Sequence, residues 1–201
     1  MKKVGVIGGS FDPVHIGHIN LALDAMKQCN LERVIFVPAK LQPFKLDKEV
    51  TPAFNRVEML EIVMSKYSGF KLSTYEMEKE EVSYTYKTLE HLRKKLDIDE
   101  ELYFICGTDT FLTMKNWKEA EKILRSIGII VGSRPGYKDE ELKAMSLELK
   151  EEYDTKVLLI DNIKYDISAT KIRLCNQNKE SINNLVPLEI ERYIKENGLY
   201  K

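Results

Sequence analysis

The segment KVGVIGGSFDPVHIGH, residues 3–18, indicates the class of fold. It opens with a short apolar run, residues 3–7, that is typical of a buried strand. Two glycines, Gly8 and Gly9, and a proline then interrupt the run before a helical pattern at residues 16–26. We expect a strand, a tight loop and a helix, in that order.

The same alternation continues to the other end of the chain. Strands are predicted at residues 33–38, 70–74, 102–106, 127–132 and 156–160, and helices at 55–67, 85–96, 117–124, 139–152, near Ser168 and at 187–197. Such alternation favours parallel strands joined by helical crossovers. The predicted fold is therefore α/β, a doubly wound parallel sheet with helices on both faces.

Length and composition limit the classes of protein that fit. The chain has 201 residues, which suits a single domain over 1–201, with residues 167–201 expected as a small helical subdomain. A formal net charge of −1 gives no basic field for nucleic acid. No apolar run approaches the roughly 20 residues that span a membrane, and the N-terminal run is broken too early for a secretory signal. We expect a cytoplasmic protein, and a homo-oligomer is left open.

Two of the three histidines, His15 and His18, lie directly after the first strand. Beside a helix N-terminus, whose N–H groups lack partners, two imidazoles one turn apart form an anion site. Gly8 and Gly9 are expected to let the backbone turn tightly and approach phosphate oxygens. A pair of metal ligands or of ordinary surface histidines is the alternative, but His91, the third histidine, lies apart in a charged helix.

Other nucleotide and hydrolase motifs are absent from the sequence. It contains no P-loop, no complete dinucleotide-binding glycine pattern, and none of the GxSxG or HExxH motifs. The three cysteines are scattered and suit neither a disulfide framework nor a zinc site. The sequence indicates phosphate handling without a covalent nucleophile on the protein.

A second motif, ISATKIR at residues 167–173, also suits phosphate. Ser168 and Thr170 lie where a helix would be capped, so hydroxyls and unpaired N–H groups can hold phosphate oxygens. Arg173 adds a planar fork for bidentate contact. Taken alone, a helix cap followed by basic residues is usually only a cap, and its pairing with the histidine motif is what favours a function.

Together the two motifs resemble the paired signature, (H/T)xGH and ISSTxIR, of the nucleotidyltransferase superfamily of α/β phosphodiesterases. Other blocks are similar to the bacterial nicotinate mononucleotide adenylyltransferases, and the matches cover nearly the whole chain. These blocks are VPAKLQPFK (37–45), NRVEML (55–60), VSYTYKTLEHL (82–92), CGTDTFLTMKNW (106–117), GSRPG (132–136) and LVPLEIERYIKENGLY (185–200). The resemblance implies a Rossmann-like nucleotidyltransferase fold.

The implied reaction joins ATP and nicotinate mononucleotide to give nicotinate adenine dinucleotide and pyrophosphate, a step of NAD biosynthesis. The mononucleotide phosphate would attack the α-phosphorus of ATP. By resemblance, the catalytic groups are His15, His18, Lys45 and Arg173. The residues expected to bind ATP are Gly8, Gly9, Ser10, Phe11, Gly107, Asp109, Arg134, Ile167, Ser168 and Thr170. Mg²⁺ is expected to arrive on the ATP phosphates, with no dedicated metal site in the protein.

Four residues are expected to bind nicotinate mononucleotide. The resemblance implies that Trp117 stacks on the pyridine ring and that Tyr84 and Thr85 contact the carboxylate. At the next position many members of the family carry an aromatic residue or histidine, whereas this chain has Lys118. An ammonium there could itself favour the acid over the amide.

Three alternatives remain open from the sequence. The acceptor could be nicotinamide mononucleotide or phosphopantetheine, although phosphopantetheine adenylyltransferases usually have threonine at the position of His15. A regulatory nucleotide-binding module on the same scaffold is the third. The loop at residues 38–52 follows a strand and is expected to border the site, and it is a candidate lid.

Overall fold

A computed structural model of the chain describes residues 1–40, 50–79, 82–132, 139–162 and 167–201. Within these residues the strands are β1 (Lys2–Gly9), β2 (Leu31–Pro38), β3 (Phe70–Leu72), β4 (Glu100–Gly107), β5 (Gly128–Gly132) and β6 (Val157–Ile160). The α-helices are α1 (Ile16–Cys29), α2 (Ala53–Met64), α3 (Thr85–Arg93), α4 (Thr108–Leu112), α5 (Ala120–Ser126), α6 (Asp139–Tyr153), α7 (Ala169–Gln177) and α8 (Leu188–Glu196).

The described strands form one sheet in the order β3-β2-β1-β4-β5-β6. Every neighbouring pair is parallel. This is the strand order of doubly wound dinucleotide-binding folds, in which the chain leaves the central strands in opposite directions. The predicted α/β class and doubly wound parallel sheet are confirmed.

Alternate side chains of the strands enter two separate apolar clusters, one on each face of the sheet. In β4, Tyr103 and Ile105 join the cluster that contains residues of α1, α2, α7 and α8. Their neighbours Leu102 and Phe104 join the other, with residues of α3, α4, α5 and α6. Because both faces are covered, the strands need no polar alternation, as the sequence indicated.

The helical segment after β6 packs on the first of these faces. Buried residues of this segment, Ile172, Ile182, Val186, Ile190 and Ile194, belong to the same cluster as α1 and α2. Helix α8 follows Pro187, carries two glutamates in its first turn and has Lys195 in its last, in agreement with the helix dipole. The description of residues 167–201 as a small subdomain stays a prediction.

The sequence prediction missed helix α4 and the 3₁₀ turn at Met114–Asn116. The segment is short and rich in threonine, so it has no 3.6-residue apolar period to indicate a helix. The predicted helix at 117–124 begins later, at Ala120. Among the described residues, no helix is long and apolar enough to cross a membrane.

Candidate active site

The two motifs and the ends of the central strands lie at the carboxyl edge of the sheet. Strand β1 ends at Gly9 and β4 ends at Gly107, at the point where the strand order reverses. Ligands of open α/β sheets bind in the crevice at this point. A Cβ added to Gly107 would meet no atom within 4 Å, so there is open space beside the end of β4.

Gly8 and Gly9 do not form the tight turn that the sequence predicts. Both are the last residues of β1, paired with Val37 and Pro38 of β2. The left-handed residue comes later, at Phe11, with φ of 47°. The prediction was wrong on this point because strand pairing extends through both glycines. Gly8 is nevertheless exposed, so its backbone lies open at the end of β1.

His15 and His18 form a stacked pair at the start of α1. His15 is the N-cap residue, and the two ring centroids are 3.7 Å apart with planes 25° from parallel. The backbone N–H of His15 donates to His18 Nδ1 at 3.3 Å. Because Nδ1 accepts this hydrogen bond, the neutral ring carries its hydrogen on Nε2. His18 can therefore donate from Nε2, the ring nitrogen that does not accept the His15 N–H.

Packing holds the two rings from both sides. The Phe11 ring meets His18 edge to face at 4.9 Å, and it is only 1% exposed. The Phe11 side chain is thus in the core, where it supports His18, and a contact between Phe11 and ATP stays a prediction. A Cβ on Gly17 would lie 3.0 Å from His15 Nδ1, so glycine lets the His15 ring lie against the helix.

The second motif begins helix α7. Ser168 is the N-cap, and its hydroxyl oxygen accepts the Lys171 N–H at 3.2 Å. Ile167 is buried, and its Cβ lies 3.9 Å from the position that a Cβ on Gly17 would take. The start of α7 therefore lies against the start of α1. Thr170 is exposed and accepts from Arg173 Nη2 at 3.3 Å. The structure thus brings the first turns of the two helices together.

Arg173 is joined directly to the loop that carries the histidines. Its Nη1 donates to the main-chain carbonyl of Asp12 at 2.7 Å and lies 3.9 Å from the Asp12 carboxylate. These two residues are 161 positions apart in the chain. The guanidinium side chain remains 31% exposed, so it can also meet a ligand.

Arg56 supports the same loop, the one between β1 and α1, through its main chain. It is 2% exposed, and it donates to three main-chain carbonyls, those of Thr51 at 2.9 Å and of Ser10 and Ala39 at 2.7 Å each. Burial lowers the pKa of Arg56, while the nearby Asp12 carboxylate opposes the shift. Arg56 thus joins the ends of β1 and β2 to the start of α2, and Ser10 is held through its carbonyl.

The four residues predicted to bind the acceptor also come together. Tyr84 is the N-cap of α3, and Thr85 is its first residue. Lys118 is exposed, and its Nζ lies 4.3 Å from the centroid of the Tyr84 ring. Trp117 is half-buried, and its ring and that of Phe104 meet edge to face with centroids 5.8 Å apart. The start of α3 and the turn before α5 therefore form one aromatic and cationic group.

The remaining predicted residues are placed as follows. Asp109 is the second residue of α4, whose N-cap is Gly107, so it lies in the first turn of the helix that follows β4. Lys45 and Arg134 lie outside the described residues, as does most of the candidate lid. In the described ranges, no group of three or more His, Cys, Asp or Glu side chains could hold a metal ion.

Sequence reasoning missed three contributors to this geometry. Gly17 had a signal in the HIGH tetrapeptide, since only glycine leaves room beside a ring at close approach. Arg56 belongs to the NRVEML block, which gives no indication that its side chain reaches Ser10 and Ala39. Tyr200, whose hydroxyl donates to Asp12 at 2.6 Å, is 188 positions away from it, so no local pattern could reveal the contact.

Comparison with known proteins agrees with this geometry. A family model described as cytidylyltransferase-like matches residues 6–174. A probable nicotinate-nucleotide adenylyltransferase of Clostridium botulinum (strain Alaska E43 / Type E3) is 40% identical over 201 residues, which is 100% of this chain and 99% of that protein. A protein of the same description from Clostridium novyi (strain NT) is 37% identical, with 100% of both chains covered.

Solved structures show the same fold. Plasmodium falciparum nicotinic acid mononucleotide adenylyltransferase complexed with NaAD superposes with a TM-score of 0.78 at 25% identity, covering 100% of this chain and 98% of that chain. A nicotinate-nucleotide adenylyltransferase described as putative, from Vibrio parahaemolyticus, has a TM-score of 0.70 at 16% identity and covers 100% and 96%. The chain therefore belongs to the cytidylyltransferase-like family and, within it, to the nicotinate-nucleotide adenylyltransferases.

Proposed function

We propose that this chain transfers the adenylyl group of ATP to nicotinate mononucleotide, giving nicotinate adenine dinucleotide and pyrophosphate in NAD biosynthesis. The contact that carries the proposal is the hydrogen bond from Arg173 to the Asp12 carbonyl at 2.7 Å. It joins two phosphate motifs from opposite ends of the chain beside the crevice of the sheet. The family, as the comparisons define it, supports the same reaction.

The reaction needs positioning and charge stabilisation more than a protein nucleophile. A phosphate oxygen of nicotinate mononucleotide attacks the α-phosphorus of ATP, the bond to the β-phosphate oxygen breaks, and pyrophosphate leaves. Negative charge spreads over the phosphate oxygens in the transition state. His18 Nε2–H and the Arg173 guanidinium are donors for that charge, and the positive dipole ends of α1 and α7 lie beside them.

His15 has a supporting part in this mechanism. It is 6% exposed, and its ring stacks on His18. Its backbone N–H donates to His18 Nδ1, which leaves the ring hydrogen of neutral His18 on Nε2. His15 thus orients the donor through its main chain, while its own ring stacks on that of His18.

The acceptor would lie between the start of α3 and the turn before α5. Trp117 offers an aromatic face to the pyridine, and the Thr85 N–H lies in the first turn of α3, where a carboxylate is favoured. Lys118 lies against the Tyr84 ring, close to that turn. Hydrogen bonds from such donors to a carboxylate are stronger than those to a neutral amide.

Mg²⁺ is proposed to enter bound to ATP. This ion prefers phosphate oxygens and water to an all-protein cage, and it neutralises charge on the leaving pyrophosphate. The lysine and arginine in the segments after β2 and β5, Lys45 and Arg134, are proposed as further phosphate contacts from their sequence positions.

The test is pyrophosphate release from ATP and Mg²⁺ with nicotinate mononucleotide, nicotinamide mononucleotide or phosphopantetheine offered separately. We expect release to be strongest with nicotinate mononucleotide. The His18→Ala variant is expected to lose about a hundredfold to a thousandfold in kcat, as is typical when a donor to transition-state charge is removed. His91→Ala is the matched control, because this histidine lies in the last turn of α3 and its ring stacks on that of Tyr75, with the centroids 3.8 Å apart.

A second variant tests the choice of acid over amide. Lys118→Ala is expected to reduce the ratio of kcat/KM for nicotinate mononucleotide over nicotinamide mononucleotide. Lys115→Ala is the control, since its ammonium is paired with Glu148 and Glu152 of α6. An unchanged ratio in Lys118→Ala would show that the ammonium does not contribute to the preference.

A further inference from the structure

A buried carboxylate lies between Arg173 and the segment at residues 198–201. Asp12 is 4% exposed, and its main-chain carbonyl accepts from Arg173. Its Oδ1 accepts the Tyr200 hydroxyl at 2.6 Å, and its Oδ2 accepts the Thr51 N–H at 3.4 Å. One residue of the phosphate loop therefore holds both the arginine and the tyrosine.

The Tyr200 backbone is fastened to the helix that carries Arg173. Asn176 of α7 donates from Nδ2 to the carbonyls of Leu199 at 3.1 Å and of Tyr200 at 2.9 Å. Asn176 lies three residues after Arg173, on the same side of the helix. The contacts close a ring from Arg173 through Asp12, Tyr200 and Asn176 back to α7.

Tyr200 holds an uncommon backbone conformation within this ring. Its φ is 57°, in the left-handed region that residues other than glycine seldom occupy. Such a conformation persists only where surrounding contacts determine it. The Asn176 bonds to the main chain and the Asp12 bond to the hydroxyl are such contacts.

The hydroxyl is a permanent donor. Burial raises the pKa of Tyr200, and the bond to the Asp12 carboxylate raises it further. The phenol therefore keeps its hydrogen throughout the neutral range. A short hydrogen bond from a neutral donor to a carboxylate is among the stronger polar contacts in proteins.

We propose that Tyr200 is a positioning residue for adenylyl transfer: its hydroxyl fixes Asp12, and Asp12 fixes the Arg173 guanidinium against the loop that carries His15. The inference rests on the proposed role of Arg173 at the phosphates. It assigns a part in catalysis to a side chain that belongs to neither phosphate motif.

Removing the hydroxyl alone tests the proposal. In Tyr200→Phe the ring can still pack, but Asp12 loses a partner and the guanidinium loses a rigid support. A misplacement of about 1 Å can cost about a hundredfold in rate, so we expect kcat to fall by roughly tenfold to a hundredfold. The expected change in KM for ATP is smaller, because the loss concerns alignment in the transition state.

Tyr193→Phe is the matched control. The Tyr193 hydroxyl also donates to a carboxylate, that of Glu58, and accepts from Asn55 at 2.9 Å. These contacts join α8 to α2 and do not reach Asp12. If both variants lower Tm similarly and lower kcat similarly, the role of Tyr200 is structural and the proposal is overturned.

A double variant tests whether Tyr200 acts through Arg173. Lysine at position 173 keeps a charge but lacks the planar fork. In an Arg173→Lys background, Tyr200→Phe is expected to have little further effect on kcat. Full additivity of the two losses would show that Tyr200 does not work through the arginine.

Chemical modification gives a readout that does not depend on turnover. Phenylglyoxal reacts with accessible guanidinium groups, and mass spectrometry locates the product on the peptide that contains Arg173. We expect faster modification in Tyr200→Phe than in the wild type or Tyr193→Phe. An unchanged rate would overturn the positioning of Arg173 by Tyr200, even if the protein released no pyrophosphate and the proposed function itself had failed.

Discussion

Arg56→Met provides the sharpest test of how the site is held. The guanidinium, 2% exposed, donates to the carbonyls of Thr51, Ser10 and Ala39, and methionine fills similar space without any donor. Each buried carbonyl left without a partner costs about 1–3 kcal/mol, and breaking a buried charged network by removing one member typically costs about 3–5 kcal/mol. Asp12 also loses one of the positive charges near it.

We therefore expect Arg56→Met to lower the free energy of unfolding by about 3–5 kcal/mol. For a chain of this size, each kcal/mol shifts Tm by about 2–4 °C, so Tm should fall by roughly 6–20 °C. Urea unfolding followed by circular dichroism measures the free energy, and a thermal scan measures Tm.

The matched control is Arg125→Met. Arg125 makes an ion pair with Glu121 and a bond to the Glu152 carbonyl, but its side chain is 53% exposed. An exposed pair of this kind contributes about 0.3–0.5 kcal/mol. A loss of less than about 1 kcal/mol in Arg56→Met, or one equal to that of Arg125→Met, would refute the view that Arg56 holds the loop.

Two further predictions concern stability. Burial raises the pKa of Glu76, although hydrogen bonds from Thr88 and Ser83 oppose this, so the fold favours the protonated carboxyl and the contribution of Glu76 to stability falls as pH rises from about 4 upward. Glu76→Gln removes this dependence, so its unfolding free energy relative to the wild type should increase over that range, as measured by urea unfolding at several pH values. In Gly128→Ala a Cβ would lie 2.2 Å from Cε1 of the Tyr103 ring, so unfolding at fixed pH should show a loss of about 1–3 kcal/mol.

Each of these changes has a control on the same scaffold. Glu78→Gln alters an exposed carboxylate near Glu76, and its effect on stability should not follow the same pH dependence. A parallel pH dependence in both variants would contradict the assignment to Glu76. Gly107→Ala adds a Cβ that meets no atom within 4 Å, and a loss equal to that of Gly128→Ala would contradict the steric explanation.

The fold was predictable because its signals are local. Each strand is an apolar run bounded by turn residues, and each long helix has its own period, so the alternation alone indicated a doubly wound sheet. Helix α4 escaped prediction because Thr108–Leu112 is too short to show a period. Gly8 and Gly9 were misplaced in a turn because the extent of strand pairing depends on β2, which is distant in the sequence.

The candidate site divides in the same way. His15, His18 and Arg173 were recognisable from motifs of a few residues. The contacts that hold them were not, since Arg173 meets Asp12 across 161 positions and Tyr200 meets it across 188. Contacts between residues so far apart in the sequence depend on the packing of the whole chain, so a local pattern does not indicate them.

ATP labelled at a single phosphorus shows whether the adenylyl group is transferred to nicotinate mononucleotide. ATP labelled at the α-phosphorus is incubated with nicotinate mononucleotide and Mg²⁺, and in parallel ATP labelled at the γ-phosphorus is used. We predict that the α label appears in nicotinate adenine dinucleotide and the γ label in pyrophosphate. Label from the γ position in the acceptor, or release of ADP without any dinucleotide, would contradict attack at the α-phosphorus and with it the proposed reaction.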